Sequence, residues 1–235
     1  MAKECPIYGR AIYLDCLECE EKYCRNNKKE VNKHMNKIVI GIDQSYKNTG
    51  ISICVDNELK NISSIKLDNI KSNCERRNIL RQRLDGIFKK MSLKQTQEAC
   101  ELEIIIERIR LRSQGFINID YIKSIGALNS IIIDTASKYN IKVYSVDTRS
   151  WKSQIVGTSK PKENKIGINP EKYPTIEYIK NLGYENKILI EVSNKKKKGV
   201  FERNGKKYTY NDDAADSACI ALYGFSKNRI LREEH

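Results

Sequence analysis

Two β-branched runs that each end on an acidic residue constrain the fold of this chain most strongly. The first, Lys37–Asp43, reads KIVIGID, and the second, over residues 103–107, reads EIIIE. Both runs predict buried strands, and the second is apolar on both faces, as expected of a central strand. Sites in α/β sheets form where strands end. Asp43 and Glu107 therefore meet if the two strands are neighbours.

The segments around these strands complete an α/β pattern. Residues 50–55 form a hairpin with the first strand, and a third strand near 60–67 completes a meander. Apolar residues at helical spacing predict helices over about 73–91 and about 118–139, and a further strand covers 142–146. The predicted order is three strands, helix, strand, helix, strand.

A third group of acids lies near the C-terminus, where Asn211, Asp212, Asp213 and Asp216 precede the apolar run 218–223. This pattern predicts a helix that begins at Asn211 or Asp212, either of which can cap it. The helix dipole offsets part of the repulsion among the acids. Acidic first turns are common, and such a cluster alone indicates only a cap. Read with Asp43 and Glu107, it predicts a divalent-metal site with Asp213 and Asp216 as ligands and Asp212 as the cap.

These motifs resemble those of the RuvC-type Holliday junction resolvases over residues 37–225. The similarity rests on three segments in order: Asp43-Gln44-Ser45 with Thr49-Gly50, then Glu107, then Asp213-Ala214-Ala215-Asp216. It implies a ribonuclease H-like α/β fold with a mixed five-stranded sheet, three antiparallel strands followed by two parallel ones, flanked by helices.

The resemblance also implies an activity, that of a crossover junction endodeoxyribonuclease. Such an enzyme is a Mg2+-dependent, structure-selective endonuclease that resolves four-way junctions by paired hydrolytic nicks, which leave 5′-phosphate and 3′-hydroxyl ends, and it acts as a homodimer. Asp43, Glu107, Asp213 and Asp216 would be catalytic and would hold two Mg2+ ions, for which Mn2+ can substitute. Asp43 would bridge the ions, Glu107 and Asp216 would complete one, and Asp213 the other, with Asp212 as its alternative.

Basic residues point to a polyanionic partner. The chain has 43 Lys and Arg against 30 Asp and Glu, a net charge of +13, which favours nucleic acid; an A/T-rich coding sequence would explain part of this excess. Residues 151–157 (WKSQIVG) resemble the family segment whose lysines contact DNA phosphate near the cut. Lys152 is then the first such lysine, and Lys160, Lys162 or Lys165 the second. A solvated basic loop is the alternative.

A basic insertion near 174–210 has no counterpart in the compact members of the family. We expect a helix near 175–182 and a hairpin around 195–199 and Asn204-Gly205. The lysines Lys195, Lys196, Lys197 and Lys198 stand there with aromatic residues nearby. This composition suits contact with a DNA backbone, and a solvated loop is the alternative.

Four cysteines at the N-terminus predict a separate small unit. Cys5, Cys16, Cys19 and Cys24 have the spacing C-x10-C-x2-C-x4-C, which resembles a zinc knuckle. A structural Zn2+ would order a segment too short for a core of its own. A tail with incidental thiols is the alternative, and His34 is a substitute ligand. We therefore predict a cysteine-rich segment with its linker over 1–36 and a nuclease domain over 37–235.

The remaining expectations concern location and competing functions. No apolar run approaches the roughly 18 residues of a membrane span, and the N-terminus lacks the apolar segment of a secretory signal. We expect a cytoplasmic protein of a low-GC bacterium or its phage, with reduced thiols and no membrane contact. Two alternatives stay open: another ribonuclease H-like nuclease, acting on branched DNA or RNA–DNA hybrids, and a non-cutting zinc-stabilised nucleic-acid-binding protein, against which the four intact carboxylates argue.

Overall fold

A computed structural model of the chain describes residues 4–5, 9–10, 36–45, 47–108, 119–158, 160–164, 166–193 and 199–234. The chain divides into two units, Met1–Met35 and Asn36–His235. In the first, β1 (Glu4–Cys5) pairs antiparallel with β2 (Gly9–Arg10). The thiols of Cys5, Cys16, Cys19 and Cys24 lie outside the described residues, and the zinc knuckle stays a prediction.

The second unit is built on a six-stranded mixed sheet in the order β11-β7-β6-β3-β4-β5. Its strands are β3 (Lys37–Asp43), β4 (Asn48–Val55), β5 (Glu58–Lys66), β6 (Glu101–Glu107), β7 (Lys142–Val146) and β11 (Arg232–Glu234). The first three form an antiparallel meander, and β6 and β7 continue the sheet parallel to β3. This is the ribonuclease H-like arrangement predicted from the sequence.

The sixth strand is an addition to the predicted five. β11 pairs antiparallel with β7 and forms the sheet edge beyond it. It reads Arg232-Glu233-Glu234, three charged residues without apolar alternation, and therefore carries none of the patterns from which a strand is predicted.

Two helical layers cover the sheet. The first holds α1 (Asn73–Glu98) and α2 (Ile119–Ser137), and the second holds α4 (Tyr173–Asn181) and α6 (Asp212–Tyr223). Two short helices, α3 (Thr148–Trp151) and α5 (Glu185–Ile188), lie on the second side, and α3 continues as a π-helical turn over Lys152–Val156. The first helix runs about two turns past its predicted end. The prediction stopped at residue 91 because Met91 is the last buried residue of the helix and the apolar pattern does not continue beyond it. No helix in the described part of the chain is long and apolar enough to cross a membrane.

Two glycines let α6 lie directly against the sheet backbone. A Cβ on Gly41 of β3 would overlap backbone atoms of Ser217 and Ala221, and one on Gly50 of β4 would overlap the backbone of Asp213. Side chains at these two strand positions would push the helix away. The glycines therefore fix the height at which the N-terminus of α6 stands over the ends of the strands.

The insertion folds as a small sheet that leads into α6. Its strands are β8 (Leu189–Glu191), β9 (Phe201–Arg203) and β10 (Lys206–Tyr210), in the order β8-β10-β9. The Asn204-Gly205 hairpin is confirmed, with both residues at positive φ (52° and 72°), as a two-residue turn of this kind requires. The predicted helix near 175–182 is α4. Residues 194–198 lie outside the described part.

Candidate metal-binding active site

Asp43 and Glu107 lie side by side at the C-terminal ends of β3 and β6. In the parallel pairing of β3 with β6, Ile42 stands opposite Ile106, and each acid is the next residue along its strand. The prediction that the two strands are neighbours is therefore confirmed. Asp43 is only 6% exposed, and Glu107 is half-buried.

The N-terminus of α6 adds two more acids at the same place. Asn211 is the N-cap, because its backbone is extended and its side-chain Oδ1 accepts a hydrogen bond from the backbone N–H of Ala214 at 3.2 Å. The assignment of Asp212 as the cap is wrong, since that residue lies inside the first turn. Asp213 and Asp216 follow on the helix, and both raise the pKa of Asp43 through their charge.

Lys172, which the sequence analysis missed, lies among these acids. Its Nζ is 2.5 Å from Oδ2 of Asp216 and 3.9 Å from Oδ2 of both Asp43 and Asp212. The residue directly precedes α4. No sequence motif distinguishes Lys172 from the other lysines, because its position depends on the path of the loop between residues 157 and 172. We refer to Asp43, Glu107, Asp212, Asp213, Asp216 and Lys172 together as the acidic centre.

The acidic centre crowds carboxylates together, and Asp43 and Asp216 among them are buried. Burial raises the pKa of Asp43 well above its ordinary value, although Lys172 opposes the effect. Burial and the neighbouring Asp212 raise the pKa of Asp213 to about 6. Burial would lower the pKa of Lys172, but Asp216 and Asp43 outweigh it and raise that pKa. One ammonium group therefore compensates several acids only in part.

Neighbouring amide side chains fix two of the acids. Asn48 donates through Nδ2 to Oδ2 of Asp213 at 2.7 Å and to Oδ1 of Asn211 at 2.9 Å. Gln44 donates through Nε2 to the carbonyl oxygen of Glu107, and its Oε1 accepts from the backbone N–H of Glu107 at 3.2 Å. The Gln44 amide thus extends the pairing of β3 and β6 by one residue. Both amides could have been found from the sequence, because Gln44 lies within the Asp43-Gln44-Ser45 segment and Asn48 directly precedes Thr49-Gly50.

The predicted DNA-binding lysines are placed unevenly. Lys152 donates to the carbonyl oxygen of Glu171 at 3.2 Å and therefore contacts the segment that holds Lys172. Lys162 pairs with Glu177 at 2.6 Å and lies near the ring of Tyr173. Lys160 is exposed. Lys165, Lys195, Lys196, Lys197 and Lys198 lie outside the described residues, and the DNA-binding role of every one of these lysines stays a prediction.

The donor set fits a hard divalent cation. Carboxylate oxygens are the preferred ligands of Mg2+, and Oδ1 of Asp216 is buried without a hydrogen-bond partner. No three Asp, Glu, His or Cys side chains converge as a preformed metal site within the described ranges. The Lys172 ammonium instead lies within ion-pair distance of three of the acids. The Lys172 ammonium is thus the cation that these three acids contact. The assignment of Mg2+ to Asp43, Glu107, Asp213 and Asp216 stays a prediction.

Comparison with known proteins finds structural similarity only. No protein-family model and no curated protein sequence matches the chain. The chain is similar to the solved structure of Thermus thermophilus RuvC, with 13% identity over 79% of this chain and 91% of that one and a TM-score of 0.46. It is also similar to the structure of T. thermophilus RuvC in complex with a Holliday junction substrate, with 12% identity over 79% of this chain and 90% of that one and a TM-score of 0.45. A third similar structure is that of the yeast mitochondrial Holliday junction resolvase Ydc2, with 17% identity over 78% of this chain and 75% of that one and a TM-score of 0.35.

Proposed function

We propose that this chain is a Mg2+-dependent, structure-selective DNA endonuclease that resolves four-way junctions by paired nicks with 5′-phosphate and 3′-hydroxyl ends. The observation that carries the proposal is that Glu107, Asp213 and Asp216, which come from two other segments of the chain, lie near enough to the buried Asp43 for their charges to raise its pKa. Bringing like charges together at buried positions costs folding free energy. A structural ion pair needs one acid per cation, whereas here one lysine faces several acids, and such perturbed clusters are typical of functional sites.

Each part of the acidic centre has a distinct role in this proposal. Asp43, Glu107, Asp213 and Asp216 would hold Mg2+, which when bound would supply a hydroxide nucleophile and stabilise charge on the leaving oxygen. Asn48 orients Asp213, and Gln44 fixes the backbone of Glu107. The side chain of Lys172 is 27% exposed, and in this proposal its ammonium pairs with an anionic DNA phosphate. The positive end of α6 adds favourable potential for the same anion.

The insertion supplies a second basic surface in this proposal. The rings of Phe201 and Tyr210 stack at 4.9 Å and stiffen the β9–β10 hairpin. Arg203 pairs with Glu185 at 3.3 Å and Lys206 with Glu191 at 3.0 Å, whereas Lys207 pairs with no acid in the described part of the chain. A rigid hairpin with such a cation suits the DNA backbone. Lys152, Lys160, Lys162, Lys165 and Lys195, Lys196, Lys197 and Lys198 belong to the same proposed interface.

The junction and the homodimer follow from the RuvC-type resemblance of the motifs. Symmetric resolution of a four-way junction needs two cuts by active sites related by two-fold symmetry. We propose the cytoplasm as the place of action and a structural Zn2+ at the N-terminal cysteines. Metal analysis of the purified full chain tests the zinc separately, with about one equivalent per chain expected.

A substrate panel tests the proposed function. The purified chain is incubated with a synthetic four-way junction, a flap, an RNA–DNA hybrid and a linear duplex, each with Mg2+ and with EDTA. We expect Mg2+-dependent, paired nicks in the junction and little cutting of the duplex. Preferential cutting of the flap or the hybrid would select a different ribonuclease H-like nuclease. Binding to all substrates without any cutting would select a non-cutting nucleic-acid-binding protein.

A further inference from the structure

Trp151 is the only tryptophan of the chain, and it contacts the acidic centre. Its indole Nε1–H donates a hydrogen bond to Oε1 of Glu107 at 3.3 Å. We propose that Trp151 is a positioning residue that holds the Glu107 carboxylate for the metal, and that its fluorescence reports metal binding. The inference rests on the proposed function, because it assumes that the acidic centre binds a divalent cation.

Glu107 is held differently from the other acids. Lys172 lies within ion-pair distance of Asp43 and Asp216, and Asn48 donates to Asp213. Within the part of the chain that the structure describes, the Glu107 carboxylate receives a side-chain hydrogen bond from Trp151 alone, and only on Oε1. No hydrogen-bond donor among the described residues contacts the second oxygen, Oε2, which is therefore available to a cation.

Trp151 is fixed firmly enough to orient another side chain. It is fully buried, at 0% exposure, in the hydrophobic cluster between the sheet and α6. Its helix, α3, begins immediately after β7, where Asp147 is the N-cap and accepts from the N–H of Arg149 at 2.9 Å. Because β7 is the parallel neighbour of β6, the indole approaches Glu107 from the adjacent strand.

Gln44 and Trp151 act on different parts of the same residue. Gln44 exchanges two hydrogen bonds with the backbone of Glu107, whereas Trp151 binds its carboxylate. Together they fix both the backbone and the head group of a flexible side chain before any cation binds. Partners that orient a metal ligand in this way typically contribute about 10–100-fold to metal affinity.

Two measurements on the full chain test this proposal, with Mg2+ alone as the probe. The first follows tryptophan emission, excited selectively over tyrosine, during a Mg2+ titration of the wild-type protein and of Glu107→Gln. We expect the wild-type emission to change with the same midpoint that calorimetry gives for Mg2+ binding. We expect no such change in Glu107→Gln at the concentrations that saturate the wild type.

The second measurement compares Mg2+ dissociation constants by calorimetry for Trp151→Phe, which keeps an aromatic ring but loses the donor. The matched control is Tyr223→Phe, which removes a hydroxyl from the same buried cluster. That hydroxyl accepts from the N–H of Ile230 and pairs with no acid among the described residues. We expect Mg2+ binding about 10–100-fold weaker in Trp151→Phe and unchanged in the control. If Trp151→Phe does not fold, as judged by circular dichroism, the emission titration decides.

Three results would overturn the proposal. One is wild-type emission that stays constant while calorimetry shows Mg2+ binding, and another is a folded Trp151→Phe that binds Mg2+ as tightly as the wild type. In both cases the proposed function survives. The third is the absence of Mg2+ binding to the wild type, which would overturn the proposed function as well.

Discussion

Replacing Lys172 with Met should destabilise the metal-free protein by an amount set by the acids it contacts. The ammonium group lies 2.5 Å from Asp216, whose side chain is 5% exposed. Removing one partner of a buried ion pair costs about 3–5 kcal/mol. An aspartate that loses its cationic partner can take up a proton instead. For an ordinary aspartate near pH 7 this protonation costs about 4 kcal/mol, which sets an upper limit on the loss of stability. Because 27% of the Lys172 side chain is exposed, we expect a loss at or below the lower end of that range, about 2–3 kcal/mol.

The assay is urea-induced unfolding followed by circular dichroism, with EDTA and with excess Mg2+. At about pH 5, protonation of an ordinary aspartate costs only about 1.5 kcal/mol, and the loss should shrink accordingly. Mg2+ should restore more stability to Lys172→Met than to the wild type, because no ammonium competes for the carboxylates. Lys162→Met is the matched control, since that lysine pairs with Glu177 at the surface and its removal should change stability little.

Equal loss in Lys172→Met and Lys162→Met would refute this reasoning. It would mean that the Lys172 ammonium does not compensate the acidic centre in solution. A loss that is the same near pH 5 and near pH 7 would likewise exclude uncompensated carboxylates as its cause.

Three further predictions concern the same architecture. The pKa of Asp213 is raised to about 6 in the fold. The stability that the protonated Asp213 contributes is therefore complete below about pH 4 and is lost as the pH rises through 6. In EDTA, Asp213→Asn should be more stable than the wild type by about 1–3 kcal/mol near pH 7 but not near pH 4. Gly50→Ala should lower the free energy of unfolding by about 3 kcal/mol or more, because the new Cβ overlaps the backbone of Asp213, and unchanged urea unfolding would contradict this packing. Lys207→Gln should reduce the slope of log affinity for junction DNA against log salt by about 1, whereas Lys142→Gln, whose lysine pairs with Glu233, should leave the slope unchanged.

The sequence was sufficient for the parts of the fold that local patterns encode. The apolar runs that end in Asp43 and Glu107 are neighbouring parallel strands, and the Asn204-Gly205 turn has the backbone that its residues favour. The strand β11 was missed, because charged residues at a sheet edge carry no apolar pattern. The N-cap assignment of α6 was wrong at one position, since Asn and Asp cap equally well and only the backbone conformation distinguishes Asn211 from Asp212.

Much of the acidic centre was likewise predictable, but its non-acidic members were not. Asp43 and Glu107 could be selected because each is the last residue of a strand, and Asp213 and Asp216 because they lie in the first two turns of a helix. Lys172 and Trp151 reach the centre only through tertiary packing, one from an irregular loop and the other from a helix after the neighbouring strand. Their distances from the acids along the chain give no periodic signal, and they could be identified only from the structure.

The most direct test of the central claim is single-turnover cleavage of a four-way junction by the wild type and by Asp43→Asn, with Mg2+ present and binding measured in parallel. Asp43→Asn keeps the shape of the side chain but removes the negative charge at the most buried end of β3. We predict junction binding close to that of the wild type with cleavage abolished. Cleavage at the wild-type rate by the purified variant would contradict the assignment of the acidic centre as the active site.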